Sequence, residues 1–106
     1  MSDQTPTPGP RPTKVHFVKS VQPHFDGVWS GLKSFEIRKD DRDFQTDDVL
    51  VQREFDGRFY KHRSTIHRIG YVLRDFVGLR RGYCAFALLD PDDAALDLAE
   101  ASERET

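Results

Sequence analysis

The chain has 106 residues, enough for one domain with one modest hydrophobic core. It contains no apolar run long enough to cross a membrane, and its polar, proline-rich start lacks the pattern of a signal peptide. The single cysteine, Cys84, cannot form a disulfide within the chain, so we expect a cytoplasmic protein in which Cys84 is a buried, inert thiol rather than a nucleophile.

The formal net charge of -2 conceals an uneven distribution. Residues 90–106 carry seven acidic residues and one arginine, whereas residues 14–89 carry 14 lysines and arginines against 10 acidic residues. A basic body with an acidic tail fits a polyanionic partner, and ordinary solvated surface charge explains the same counts. The acidic tail also offers a surface to a protein partner. We expect the chain itself to be a monomer.

Two tails flank the predicted domain, which spans residues 14–89. Residues 1–13 are predicted to be a disordered leader, because they offer almost no apolar surface to offset the entropy of ordering. Residues 90–106 are predicted to be an acidic tail whose short helical segment frays. This tail either lies over the basic body as an electrostatic lid or serves only to increase solubility.

A strand and a helix open the domain. Residues 14–19 are predicted to be the strand. The helix that follows has Ser20 as its N-cap, Pro23 in its first turn and Gly31 at its end. An apolar stripe with helical spacing is predicted to face the core and consists of Val21, Phe25, Val28, Trp29 and Leu32. We expect Trp29 to be largely buried.

The strand after the helix alternates between apolar and polar side chains. Phe35 and Ile37 are expected to face the core, so that the side chains of Glu36 and Arg38 emerge together on the other face. Lys33 lies at the junction of helix and strand. A carboxylate between two cations can accept a hydrogen bond from the amino edge of a base while the cations hold phosphate. A surface ion pair is the simpler interpretation of the same spacing.

Further short strands complete the predicted fold. They are predicted at residues 49–55, 58–72 and 83–89. A hairpin turn at Asp56-Gly57 joins the first two, and the apolar phase of the second slips between Ile66 and Ile69, where we expect a bulge or break. One helix and about five to six strands indicate an α+β or mainly β fold built as a small β-barrel.

The residues Gly31, Lys33, Glu36 and Arg38 form the pattern Gly-x-Lys-x-x-Glu-x-Arg. This pattern resembles the signature of the ASCH superfamily, whose members are relatives of the PUA domain. More closely, residues 14–89 resemble the phage and bacterial family DUF3850. The shared features are His16 in the first strand, the run from Phe35 to Phe44, and the Gly-Leu-x-x-Gly-Tyr turn at residues 78–83.

This chain departs from the DUF3850 pattern at two places. Asp47 stands where the family has a glycine before Asp48, so we expect the turn there to be strained or built differently. The Tyr-Thr-Gly segment of the family's middle hairpin is replaced by the sequence Tyr60-Lys61-His62.

The resemblance implies a PUA-like barrel that binds RNA or a nucleoside. In this interpretation Lys33 and Arg38 hold phosphate or a polar base edge, and Glu36 accepts a hydrogen bond from an amino group. Three further arginines would widen the basic surface: Arg42, Arg80 and Arg81.

Two other functions remain open. One is a small hydrolase of a modified nucleoside or RNA, with Lys33 and Glu36 as the catalytic residues. Some ASCH proteins are amidohydrolases that act on acetylated cytidine, but their pattern resembles Lys-x-x-Thr, and Glu36 occupies the threonine position here. The other is a phage or bacterial protein-interaction factor. We expect no cofactor and no metal, because no cluster of cysteine and histidine completes a zinc site.

Overall fold

The computed structural model describes residues 11–105 of the chain. In this part of the chain the elements are, in order, β1 (Val15–Ser20), α1 (His24–Trp29), β2 (Phe35–Lys39), β3 (Val49–Phe55), β4 (Tyr60–Arg74), β5 (Tyr83–Leu89) and α2 (Asp93–Arg104). The prediction of a small, mostly β fold with a helix after the first strand is confirmed. No helix among the described residues is long and apolar enough to span a membrane.

The five strands form one sheet in the order β1-β3-β4-β5-β2. β1 pairs with β3 in parallel, and the other neighbouring strands are antiparallel. β1 and β2 are therefore the edge strands. The sheet curls until these edges approach each other, since the Arg38 guanidinium on β2 donates a hydrogen bond of 2.9 Å to the backbone carbonyl of Lys19 on β1. The result is a half-barrel, and we call the gap between β1 and β2 the seam.

Apolar side chains on the concave face of the sheet form the main core. This cluster consists of Val18, Val28, Phe44, Leu50, Ile69, Cys84, Phe86 and Leu88. Val28 belongs to α1, so this helix packs against the concave face. Cys84 is fully buried, and burial, with a contribution from the Asp40 carboxylate, raises the pKa of its thiol to about 11. The prediction that Cys84 is buried is confirmed, and a raised pKa is what an inert thiol is expected to have.

A second, smaller core lies on the convex face beneath α2. Ala95 and Ala99 are buried against Val49 and Val51 of β3. Asp92 caps the helix by accepting a hydrogen bond of 2.9 Å from the backbone N–H of Ala95. The predicted fraying is wrong, because two alanines four residues apart give the helix a flat apolar side that fits the sheet. Both alternatives for the tail are wrong: α2 covers the face opposite the concave one, so it is not a lid, and it packs on the sheet, so it is not an undocked solubilising tail.

The ends of α1 differ from the prediction. Ser20 lies in β1 rather than at the N-cap, and Pro23 takes the N-cap position. Gly31 has a φ of 86°, a conformation that favours glycine, which confirms the predicted end of the helical segment. Because the helix has six residues, fewer than two turns, the predicted apolar stripe extends past both of its ends.

The predicted burial of Trp29 is wrong, since 51% of this residue is exposed. Trp29 is the last residue of α1 and lies on its flank. Its ring stacks on Phe25 with a centroid distance of 5.9 Å, and the guanidinium of Arg63 lies 5.0 Å from the Trp29 ring. Trp29 therefore gains a stacking and a cation–π contact at the surface in place of a position in the core.

The two faces of β2 are reversed relative to the prediction. Phe35 and Ile37 are 51% and 54% exposed, whereas Glu36 between them is only 4% exposed. The polar face of β2 looks into the half-barrel, and no helix among the described residues covers its apolar face, because α2 packs over β3 instead. Alternation predicts which side chains share a face but not which face is inside.

The turns agree with the prediction more closely. The Asp56-Gly57 hairpin is confirmed between β3 and β4. The irregularity of β4 lies between Ile69 and Val72, slightly beyond the predicted position of Ile66 to Ile69. Asp47 has a φ of 76°, which confirms that a strained turn stands where the family pattern has glycine.

A buried carboxylate fastens the segment just before β1 to the sheet. Asp48 accepts hydrogen bonds from Arg11 at 2.7 Å and from His16 at 2.8 Å, and the backbone N–H groups of Lys14 and Gln45 each donate at 3.1 Å. Residues 1–10 of the predicted leader lie outside the described residues, but Arg11 is held in place. Burial alone would raise the pKa of Asp48; the bonds from Arg11 and His16 lower it overall.

The lowered pKa of Asp48 predicts a loss of stability in acid. Its stabilising effect is present above the pKa of an unfolded aspartate and disappears as the pH falls through the folded value. We expect Asp48→Asn to cost about 2 kcal/mol at pH 7 and to flatten the decline in stability below about pH 4. Urea unfolding at a series of pH values measures both effects. Asp97→Asn, a change of an exposed aspartate, serves as the control. If stability falls with pH in parallel for wild type and Asp48→Asn, the stabilising role of Asp48 is contradicted.

Candidate functional site

A cavity of about 630 Å³ opens at the seam. One wall is β1 at residues 18–20, and the other is β2 at residues 35–39. Lys33, Arg42 and Tyr83 also contribute to the lining. The volume is typical of pockets that hold small organic molecules.

Glu36 is the buried centre of this site. Its Oε2 accepts a hydrogen bond from Lys33 Nζ at 3.1 Å. Its Oε1 lies 3.3 Å from Arg38 Nε, which is close enough for an ion pair. The two groups do not form a hydrogen bond, since Arg38 Nε has no hydrogen-bond partner among the described residues. A carboxylate buried to this extent requires compensating charge, and these two cations provide it.

The backbone around Gly31 fixes the position of Lys33. Lys33 follows the turn that ends the helical segment, and its N–H donates to the carbonyl of Gly27 at 2.8 Å. A Cβ at Gly27 would lie 3.2 Å from the Cβ of Lys33, so a glycine in α1 allows the lysine to pass close to the helix. The lysine can then reach Glu36 three residues later.

Two arginines span the seam. Arg38 donates to the carbonyl of Lys19, and Arg42 donates to the carbonyl of Phe17, each at 2.9 Å. Both acceptors are backbone groups of β1. The guanidinium groups thus replace part of the strand pairing that a closed barrel would have, and they stand at the cavity mouth.

The lining is rich in positive charge. Its cations are Lys19, Lys33, Arg38, Lys39 and Arg42, and its anions are Glu36 and Asp41. This excess of positive charge favours an anionic group at the mouth, and the buried carboxylate can accept a hydrogen bond from an N–H donor.

The structure brings four of the predicted site residues together. They are Lys33, Glu36, Arg38 and Arg42. Arg80 and Arg81 lie on the exposed turn before β5 and are not part of the cavity lining. Among the described residues, no cluster of histidine, cysteine and acidic side chains has the geometry of a metal site.

Sequence reasoning missed several polar residues on the concave face. They are Ser20, Gln52, Thr65 and His67. One signal was available. Gln52 lies two residues after Leu50, so both side chains are on the same face of β3, and both lie in the apolar run of this strand. A polar residue on the buried face of an apolar strand is more informative than a polar residue on an exposed face.

The family described as "Domain of unknown function (DUF3850)" matches residues 15–88. The chain belongs to the DUF3850 family. It is also 36% identical over 74 residues to the "Uncharacterized 12.9 kDa protein in GpA 3'region" of Escherichia phage P2, covering 64% of this chain and 68% of the phage protein. The DUF3850 match includes both edges of the seam, whereas α2 lies beyond it.

If burial strengthens the pair of Lys33 and Glu36 in this DUF3850 domain, a double-mutant cycle will show strong coupling. We expect Lys33→Met and Glu36→Gln each to cost about 1–3 kcal/mol, because each leaves charge unbalanced in the cavity. The double variant should lose less free energy of unfolding than the two single variants lose in sum, by at least about 1 kcal/mol. Chemical denaturation of the four proteins measures the coupling.

The exposed pair of Lys61 and Asp56, 3.3 Å apart at the hairpin, provides the matched control. A cycle with Lys61→Met and Asp56→Asn should give a coupling below about 0.5 kcal/mol. Equal coupling in the two cycles would show that the Lys33–Glu36 pair behaves as an ordinary surface ion pair.

Proposed function

We propose that this DUF3850 domain is an RNA- or nucleoside-binding module with a PUA-like fold of the ASCH type. The observation that carries the proposal is the buried Glu36, which lies between Lys33 and Arg38 in the wall of the cavity. A structural ion pair does not need a cavity of about 630 Å³ beside it. A ligand with both phosphate and base amino groups fits this combination of charges.

Each cation has donor capacity for a phosphate. Lys33 uses one of its three N–H donors on Glu36, and Arg38 uses one of its five on the carbonyl of Lys19. The remaining donors, apart from the buried Arg38 Nε–H, can contact a phosphate at the mouth. Arg42 extends this surface along the seam, and Arg80 and Arg81 would be reached only by a longer strand of RNA.

Glu36 is suited to contact a base rather than a phosphate. A carboxylate repels phosphate but accepts hydrogen bonds from the exocyclic amino groups of cytosine, adenine or guanine. Single-stranded RNA exposes these groups, whereas a duplex engages them in base pairing. We therefore propose single-stranded RNA or a free nucleoside as the ligand.

A small hydrolase is the second candidate function. The observation that favours it is the Lys33 Nζ at 3.1 Å from the Glu36 carboxylate within a cavity, an arrangement in which one group can pass a proton to the other. Binding and hydrolysis are separated by recovering the RNA or nucleoside after incubation. An unchanged ligand supports the binding module, and a cleaved ligand supports the hydrolase.

RNA binding should depend on salt through Lys33 and Arg38. We expect Lys33→Ala and Arg38→Ala each to weaken binding of a single-stranded RNA, because each removes a phosphate contact. The slope of log affinity against log salt should become shallower by about 0.7 for each lost contact. Fluorescence anisotropy at several salt concentrations measures the affinity and the slope.

Lys61→Ala is the matched control, because Lys61 is exposed and lies outside the cavity lining. This change should leave the slope nearly unaltered. Glu36→Gln should change the preference among RNA sequences, because it converts an acceptor into a group that also donates. If Lys33→Ala and Arg38→Ala retain wild-type affinity and slope, the assignment of the seam as the RNA site is wrong.

A further inference from the structure

Polar side chains continue from the cavity wall into the interior of the half-barrel. The strand register places Gln52 of β3 beside Val18 of β1 and opposite Thr65 of β4. Ser20 lies two residues beyond Val18 on the same face of β1, and it lines the cavity. Ser20 is thus the diagonal neighbour of Gln52, and of these three residues only Ser20 lines the cavity. We call Ser20, Gln52 and Thr65 the inner polar row.

The inner polar row is buried, and its polar atoms are unpaired. Ser20, Gln52 and Thr65 are 3%, 0% and 9% exposed. Among the described residues, Ser20 Oγ, Thr65 Oγ1 and both amide atoms of Gln52 have no hydrogen-bond partner. The other buried and unpaired side-chain atoms are Arg38 Nε and His67 Nδ1, and the register places both residues on the same concave face.

The concentration of these atoms on one face needs a physical reason. Burying an amide or a hydroxyl without a hydrogen bond destabilises a protein, so an interior that served only as a core would be filled by apolar side chains. The partners of this row therefore come from outside the described residues, and water or a ligand can supply them. The row begins at the cavity wall, so a ligand in the cavity can reach it at Ser20.

Glu36 lies within electrostatic reach of the far end of this face. Burial lowers the pKa of His67, while the carboxylates of Asp90 and Glu36 act in the opposite direction. Ser20 belongs both to the cavity lining and to the inner polar row, so the row adjoins the charged mouth. The mouth suits a phosphate, whereas the inner polar row itself offers only uncharged donors and acceptors. Glu54, which the register places beside Ser20, is already paired with Arg63.

We infer that the inner polar row determines ligand specificity, with Gln52 pairing with adjacent donor and acceptor groups on a nucleobase edge. This inference rests on the proposed function and adds the residues that read the base. A carboxamide presents one acceptor and two donors side by side, which matches the edges of nucleobases. The hydroxyls of Ser20 and Thr65 donate or accept as needed. Lys33 and Arg38 hold the phosphate at the mouth.

The test compares the binding of CMP, UMP, AMP and GMP to the full chain by isothermal titration calorimetry. Gln52→Met keeps the length of the side chain and removes its hydrogen bonds. We expect Gln52→Met to weaken binding of the preferred nucleotide about tenfold, because two hydrogen bonds to the base are lost. The differences in affinity among the four nucleotides should also become smaller. Thr65→Val, which is nearly isosteric, should have a smaller effect in the same direction.

The salt slope separates reading of the base from contact with phosphate. For binding of single-stranded RNA, Gln52→Met should leave the slope of log affinity against log salt unchanged, whereas Lys33→Ala should make this slope shallower. Gln45→Met, a change of the same chemistry on a loop outside the cavity lining, is the control and should bind as wild type does. Thr65→Val and Ser20→Ala provide the same test if Gln52→Met does not fold.

Two outcomes would overturn the inference, and they are distinguishable. If wild type binds nucleotides and the row variants keep its affinity and preference, the row holds only buried water, and the proposed function stands without the inference. If wild type binds neither the four nucleotides nor single-stranded RNA, the proposed function fails and the inference fails with it.

Discussion

The unpaired edges of β1 and β2 face each other across the half-barrel, and this seam governs the arrangement of the site. Backbone groups on a free strand edge need partners. Arg38 and Arg42 supply part of what is missing by donating to the carbonyls of Lys19 and Phe17. Because side chains rather than a sixth strand bridge the seam, space remains for a cavity. The same side chains make its mouth positive.

The burial of Glu36 follows from this geometry. A residue that points inward from an edge strand faces the cavity instead of a packed core, so a carboxylate is tolerated there when cations are close. Lys33 and Arg38 balance its charge from both sides. The three residues therefore depend on one another, and the loss of one leaves the others unbalanced. Asp48 has a comparable role at the other end of β1, where it fastens Arg11 and His16 to the start of β3.

Local patterns in the sequence predicted most of the elements. The bounds of β3 and β5, the Asp56-Gly57 hairpin and the end of the helical segment at Gly31 all follow from short-range rules. The shared face of Glu36 and Arg38 also followed from their spacing, because residues two apart on a strand share a face, and Lys33 was predicted at the junction before that strand.

Long-range packing decided what the sequence could not predict. The apolar face of β2 is outward because α2 packs elsewhere, so Phe35 and Ile37 are exposed although they alternate like core residues. Trp29 lies outside because only Phe25 and Val28 of α1 are buried, and the last residue of this short helix lies on its flank. The inner polar row was invisible for a related reason: only the pairing of β1, β3 and β4 brings Ser20, Gln52 and Thr65 together. Its one local trace was the polar Gln52 within an apolar strand.

The central claim is that the seam between β1 and β2 is the ligand site. Titrating the isotopically labelled protein with a short single-stranded RNA, and following the backbone amide chemical shifts, tests it most directly. The account predicts that the largest changes fall on residues 18–20 and 33–38, with α2 nearly unaffected on the opposite face. Changes centred on α2 or on the β3–β4 hairpin, with the seam unaffected, would contradict it.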